Sequence, residues 1–192
     1  LSLHDALPIY HPERQKPGQR LKVTQSLITA SGIIKNGGVI AYPTEGIWGI
    51  GGLNTSEIQQ KIYLAKKRDD SKKFILLFKS SDQLFEHFPE AEKYKETINS
   101  FKNSFTTILL PLEKGKTAIR IPNYKRLVEF LDLIDKPLIS TSANISGNEV
   151  CKTIEEIENI FKDKIEGILD MPLGGEKNPS RIYDLELDEY IR

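Results

Sequence analysis

Cysteine is nearly missing from this chain: Cys151 is the only one in 192 residues. No internal disulfide framework is possible, and the composition fits a reducing, cytoplasmic compartment. With no histidine close by in sequence to activate it, Cys151 reads as a small buried residue rather than a nucleophile. Histidine is scarce too, with three residues. His4 and His11 fall near the start, and His87 stands between Phe85 and Phe88. That scatter argues against a His/Cys metal site and against a Ser-His-Asp hydrolase. Net charge is absent, 27 Lys and Arg balancing 27 Asp and Glu. No global field therefore recruits nucleic acid, and phosphate binding has to come from a local cluster. No apolar run approaches the ~18 residues of a membrane helix. Residues 1–9 are broken by His4, Asp5 and Pro8 and lack a basic start, so they do not read as a signal peptide.

What is present is one domain's worth of alternating strand and helix signals. Residues 1–20 read as an irregular leader outside the fold, and 21–192 as the domain. Apolar residues at Val23, Leu27, Ala30 and Ile34 predict a helix, stopped by Asn36-Gly37-Gly38. Residues 39–42 form a strand ended by Pro43, followed by a glycine-rich passage through Gly52. Ser56-Glu57-Ile58-Gln59 reads as a capping box, and its helix ends in the basic Lys66-Lys67-Arg68. Residues 74–78 read as a strand buried on both faces. Helices follow at 81–88 and 91–101, then a strand pair, 105–110 and 117–121. A helix marked by Leu127, Val128, Leu131 and Ile134 leads to a further strand. Thr153-Ile154-Glu155-Glu156 caps another helix, and strands close the chain at 167–170 and near 181–183. The expected fold class is α/β (α+β): a twisted mixed sheet flanked by helices, with a concave basic cavity.

The central stretch runs from Lys136 to Gly147, an apolar strand turning abruptly into Ser140-Thr141-Ser142-Ala143-Asn144-Ile145-Ser146-Gly147. Hydroxyl and amide side chains in such a turn arrange successive N–H groups into an anion pocket, and Gly147 can close it at positive φ. Two other motifs fail. Gly115-Lys116-Thr117 imitates the end of a P-loop, but Leu110 stands where the first glycine belongs. Gly49-Ile50-Gly51 opens like a dinucleotide fingerprint, whose third glycine would fall on Asn54.

Five clusters remain: Tyr42-Pro43-Thr44-Glu45; Lys66 and Arg68 with Lys72; Arg120 within Ala118–Pro122; Ser140–Gly147; and Asn178-Pro179-Ser180 after Gly174-Gly175. In order and spacing they resemble the YrdC-like family, the threonylcarbamoyl-AMP synthases, over about residues 22–184. The chain departs from that family's pattern at Asp69, where proline is usual, and at Asn103-Ser104-Phe105, in place of Pro-Gly-Pro. Leu77 replaces a histidine of the two-domain relatives, and Gly46 ends the Tyr-Pro-Thr-Glu motif. Leu77 and the end of the chain at Arg192 suggest the short, single-domain bacterial type.

The resemblance implies a nucleotidyltransferase. Its reaction would join L-threonine, bicarbonate and ATP, with Mg2+, into threonylcarbamoyl-AMP and pyrophosphate, the first step of N6-threonylcarbamoyladenosine formation in tRNA. It needs no tightly bound metal or organic cofactor. Threonylcarbamoyl-transfer proteins would take the product, and contact with tRNA or double-stranded RNA could coexist. It further implies that Lys66, Arg68 and Arg120 are catalytic, and that Thr44, Arg120 and Ser180 hold threonine and bicarbonate. Lys66, Arg68, Lys72, Thr107, Ser140, Ser142 and Asn144 would bind the nucleotide. Phosphoryl chemistry asks for placement and charge neutralisation, which such residues supply without His or Cys.

Each residue also has a plainer reading. Lys66 and Lys72 could decorate a solvated helix end, Thr44 could end a strand, Ser180 could be a turn serine, and Glu45 could assist Mg2+. Arg120, alternating with Ile119 and Ile121 on a strand, calls for an anion. Two other functions fit the clusters. One is a non-catalytic module gripping double-stranded RNA or ribosomal precursors. The other is a carbamoyl-transfer accessory domain.

Overall fold

The computed structural model describes residues 21–192; the proposed leader, 1–20, lies outside them. The first described element corrects the sequence reading. Lys22–Thr24 is a strand, β1, not the start of a helix. Helix α1 (Leu27–Lys35) begins three residues later, where the Ser26 side chain accepts the Thr29 N–H. Strand β2 (Ile40–Pro43) turns back into β3 (Trp48–Gly51), a strand hidden in the glycine-rich passage. Helix α2 (Ser56–Lys66) is capped by Thr55 rather than Ser56. Strand β4 (Ile75–Leu77) and α3 (Ser81–His87) come next. The second helix expected at 91–101 is split into a 3-10 turn, Pro89–Tyr94, and α4 (Lys95–Ser100). Strands β5 (Thr106–Leu112) and β6 (Gly115–Arg120) form the expected hairpin, turning at Gly115 with φ +102°. Then come α5 (Lys125–Ile134), β7 (Leu138–Ser142), α6 (Ile154–Phe161), β8 (Gly167–Leu169), β9 (Arg181–Asp184) and the unanticipated β10 (Glu189–Tyr190).

All ten strands join one mixed sheet in the order β1-β8-β2-β3-β7-β4-β6-β5-β9-β10. Successive residues alternate between its faces. Ala41, Ile50, Leu76, Ile108, Ile119 and Ile139 pack with α2, α3, α4 and α6. Ile40, Tyr42, Leu77, Leu138 and Leu169 pack with α1 and α5. The sheet is therefore buried on both faces, which explains apolar runs such as 74–78. Helices α1 and α5 cover only part of their face. Beyond them the register aligns Gly49 with Ser142, Ile75 with both Ser140 and Ala118, and Thr107 with Ile182, leaving this polar, small-residue surface open. Among the described residues no helix is long and apolar enough to cross a membrane.

Candidate active site

That open surface floors a cavity of about 390 Å3, within the size range of small-molecule sites. Thr44, Arg68, Thr107, Arg120, Ser140, Ser142 and Ser180, each expected from sequence, all line it. They come from six separate stretches of chain. Lys73 and Arg192, which were not expected, line it as well.

Arg120, at the end of β6, is 5 % exposed. Its Nη1 donates to Glu45 Oε2 at 2.7 Å, and its Cζ lies 5.2 Å from the Phe105 ring centre. Glu45, itself 8 % exposed, also accepts the Asn123 N–H at 3.3 Å. The anion that Arg120 called for is thus first of all an internal carboxylate. It holds one arm of the guanidinium and leaves the rest directed at the cavity. Opposite, Thr107 is fully buried and its Oγ1 lies 2.8 Å from Ser180 Oγ. The two hydroxyls form a fixed polar pair with lone pairs to spare for a ligand. Thr44 Oγ1 donates to the Ile47 carbonyl at 2.8 Å, closing the turn that carries Glu45.

Arg68 follows the left-handed C-cap of α2 at Lys67 (φ 49°). Its Nη2 donates to the Lys73 carbonyl at 2.9 Å and its Cζ lies 5.4 Å from the Phe74 ring centre. Nε is buried without a hydrogen-bond partner. An orphaned buried donor on a cation is a strong demand for an acceptor. Burial lowers the pKa of this guanidinium.

Two expected site residues have turned away. Lys66 is 1 % exposed and outside the cavity lining. Its Nζ donates to the Ser142 carbonyl, to the Asn144 carbonyl at 2.7 Å and to Asn144 Oδ1 at 3.0 Å. All three protons of the ammonium are engaged. Burial and the nearby Arg68 push its pKa down to about 7, while the three oxygens favour the charged form. Asn144 is the other. Its Oδ1 also accepts from Ser142 Oγ at 2.6 Å, and its Nδ2 donates to the Ile145 and Asn148 carbonyls. Lys66 and Asn144 tie the Ser142–Gly147 turn from beneath. Lys72 does not line the cavity either; Lys73 does, with Nζ donating to the Lys116 carbonyl at 3.0 Å.

Several of the N–H groups expected to form the turn's anion pocket are already engaged. The N–H groups of Ala143, Asn144, Ser146 and Asn148 already donate to carbonyls of Trp48, Ser142, Lys66 and Ile145. Gly147 does take positive φ, +86°. What the turn offers the cavity is its hydroxyls, Ser140 and Ser142. Cys151 is buried, with its thiol pKa raised by burial.

The Sua5/YciO/YrdC family, described by the words telomere recombination, matches residues 32–192. The chain belongs to that family. A curated relative, threonylcarbamoyl-AMP synthase of Vibrio campbellii, is 30 % identical over 173 residues, covering 83 % of this chain and 94 % of its own length. The synthase of Pseudomonas paraeruginosa is 32 % identical over 177 residues, covering 85 % and 94 %. The crystal structure of P. abyssi Sua5 complexed with L-threonine is similar in fold, with TM-score 0.71 and 24 % identity. That match covers 86 % of this chain and 54 % of the P. abyssi chain, so this member of the Sua5/YciO/YrdC family spans about half of that protein's length. Neither Lys73 nor Arg192 carried a local signal. Lys73 adjoins the Lys72 that was chosen, and Arg192 reaches the site only because β10 brings residues 190–192 back beside β9, with Arg192 Nη2 donating to the Ser180 carbonyl at 3.0 Å.

Proposed function

We propose that this chain is a threonylcarbamoyl-AMP synthase acting in the cytoplasm. The amine of L-threonine adds to CO2 from bicarbonate and becomes a carbamate. A carbamate oxygen then attacks the α-phosphorus of ATP, supplied as its Mg2+ complex, and the bond to the β-phosphate breaks, releasing pyrophosphate. Arg120 grips a carboxylate, threonine's or the carbamate's, with the arms that Glu45 leaves free. Thr44 and the Thr107–Ser180 hydroxyl pair orient the amino acid. Arg68, whose Nε lacks an acceptor, and Lys73 take phosphate oxygens, with Ser140 and Ser142 as neutral donors beside them. Lys66 and Asn144 act at one remove, by holding the turn that presents Ser142.

The observation that carries this reading is the convergence of Arg68, Arg120, Ser142 and Ser180 on one cavity, in a chain whose curated relatives are named threonylcarbamoyl-AMP synthases. Its chemistry is one of placement and charge, and the cavity is furnished for that. The product is a mixed anhydride, passed on to threonylcarbamoyl-transfer proteins that modify tRNA. Incubation with ATP, Mg2+, bicarbonate and L-threonine tests the reading. Pyrophosphate appears only when threonine is present; release that ignores threonine, or none from folded protein, contradicts it.

A further inference from the structure

The chain from Pro172 to Pro179 is exposed along its whole length and delivers the buried Ser180 to the cavity, whose lining also includes Pro179. It is laced to the Thr44–Gly46 turn main chain to main chain. Gly174 N–H donates to the Thr44 carbonyl at 3.0 Å, and Glu176 N–H to the Glu45 carbonyl at 2.9 Å. At Gly46 the two segments come closer still. A Cβ built on Gly46 would stand 2.0 Å from the Asn178 carbonyl oxygen and 3.2 Å from Cε1 of Phe105. Ordinary contact begins at 3.4 Å, so any side chain there pushes the strap outward by 1.4 Å (3.4 less 2.0). A backbone oxygen cannot rotate aside as the tip of a long side chain can.

The other anchor of Ser180 does not move with the strap. Its carbonyl accepts from Arg192 Nε and Nη2, and the next N–H, of Arg181, donates to the Phe105 carbonyl at 3.0 Å. Between the two anchors, Glu176 and Ser180, lie Lys177, Asn178 and Pro179, and the proline ring fixes one of the few torsions that could absorb a shift. A displacement at Asn178 is therefore passed to Ser180, whose hydroxyl stands 2.8 Å from Thr107.

We infer that Gly46 is a positioning residue: the space left by its missing side chain seats the Asn178 carbonyl and thereby sets the Ser180 hydroxyl against Thr107 at the amino-acid end of the cavity. This rests on the proposed synthase function. Because Ser180 would contact threonine in the ground state and transition state alike, misplacing it raises KM for threonine more than it lowers kcat. A shift of this size at a positioning group costs on the order of tenfold or more.

The test compares wild type, Gly46→Ala and Gly175→Ala in threonine-dependent pyrophosphate release. Gly175 holds φ +99° with open space around it, so alanine there strains the strap without touching the cavity. Both variants are expected to raise the threonine KM about tenfold and to change the ATP KM less than about threefold, while the added contact or strain lowers Tm by about 2–12 °C and leaves the protein folded. Wild-type kinetics in a folded Gly46→Ala overturn the inference. So does a uniform loss of kcat and of affinity for both substrates, which marks a general packing defect. If Gly46→Ala does not fold, Gly175→Ala decides alone by the same criteria. An active wild type with indifferent variants sinks only this inference, whereas a wild type lacking threonine-dependent release sinks the functional reading beneath it.

Discussion

Replacing Arg120 by Met tests both the electrostatics and the chemistry of the site. The guanidinium is 5 % exposed and its partner Glu45 8 %, so the substitution strands a carboxylate with only the Asn123 N–H at 3.3 Å. Stranding one member of a fully buried pair costs about 3–5 kcal/mol. The cavity beside this pair admits water, which lowers that to about 2–3 kcal/mol. Loss of the Phe105 ring contact adds about 0.5–1 kcal/mol. The sum, about 2.5–4 kcal/mol, corresponds in a domain of this size to a fall in Tm of about 5–15 °C. Adding Glu45→Gln removes the stranded charge and should recover at least half of that fall. Turnover should not return in either variant, staying at least about 100-fold below wild type, because the lost cation would also have held substrate. Thermal melts followed by circular dichroism, with pyrophosphate release on the same samples, give both readouts. A single variant as stable as wild type refutes the buried-pair argument. A double variant that regains turnover refutes the substrate role of Arg120.

Other outcomes follow from the same contacts. Ser180→Ala removes one hydroxyl from the Thr107 pair and should raise the threonine KM about tenfold, one hydrogen bond's worth, in steady-state kinetics with saturating ATP. Lys66→Met should nearly abolish turnover, though the side chain is outside the cavity, because the Asn144 carbonyl and Oδ1 lose their ammonium; near-normal turnover would contradict the tethering role. Lys66 also predicts a pH signature. Its folded pKa is lowered to about 7 from 10.5, so between those values the unfolded chain binds more protons and wild-type stability rises with pH. Below about pH 7 the burial penalty of the charged lysine is fully present. Lys66→Met should flatten that rise in denaturant titrations at pH 7 and pH 9.5. Thr55→Ala deletes the α2 cap, far from the chemistry, and should cost about 1 kcal/mol in urea unfolding with turnover intact.

Much of this architecture was legible because local signals and tertiary demands agreed. The 74–78 run is apolar on both faces because Leu76 and Leu77 enter different cores. Thr153 caps α6 where the Thr-x-x-Glu pattern placed it, with Glu156 N–H donating to Thr153 Oγ1. Val23 misled, since it stands four residues before Leu27 and fits the helical period, whereas β1 exists only through parallel pairing with β8, far along the chain. Strand β3 was masked by Gly49 and Gly51; Gly51 permits close approach to a neighbouring strand, since a Cβ on it would lie 1.8 Å from the Ile139 carbonyl oxygen.

At the site, motif matching singled out residues but could not give their directions. Lys66 and Arg68 are two positions apart, yet the helix ends between them at left-handed Lys67. One side chain is thereby sent under the turn and the other into the cavity. Glu45 could not be identified as Arg120's partner, because 75 residues separate them. Such pairings are properties of the fold.

The claim at the centre of the account is that one cavity holds amino acid and nucleotide side by side. A crystal of the protein with L-threonine and a non-hydrolysable ATP analogue tests it most directly. The account predicts a carboxylate on the free arms of Arg120, the threonine hydroxyl against the Thr107–Ser180 pair, and phosphate oxygens at the Arg68 guanidinium. Threonine or nucleotide ordered elsewhere, with this cavity holding only solvent, would contradict it.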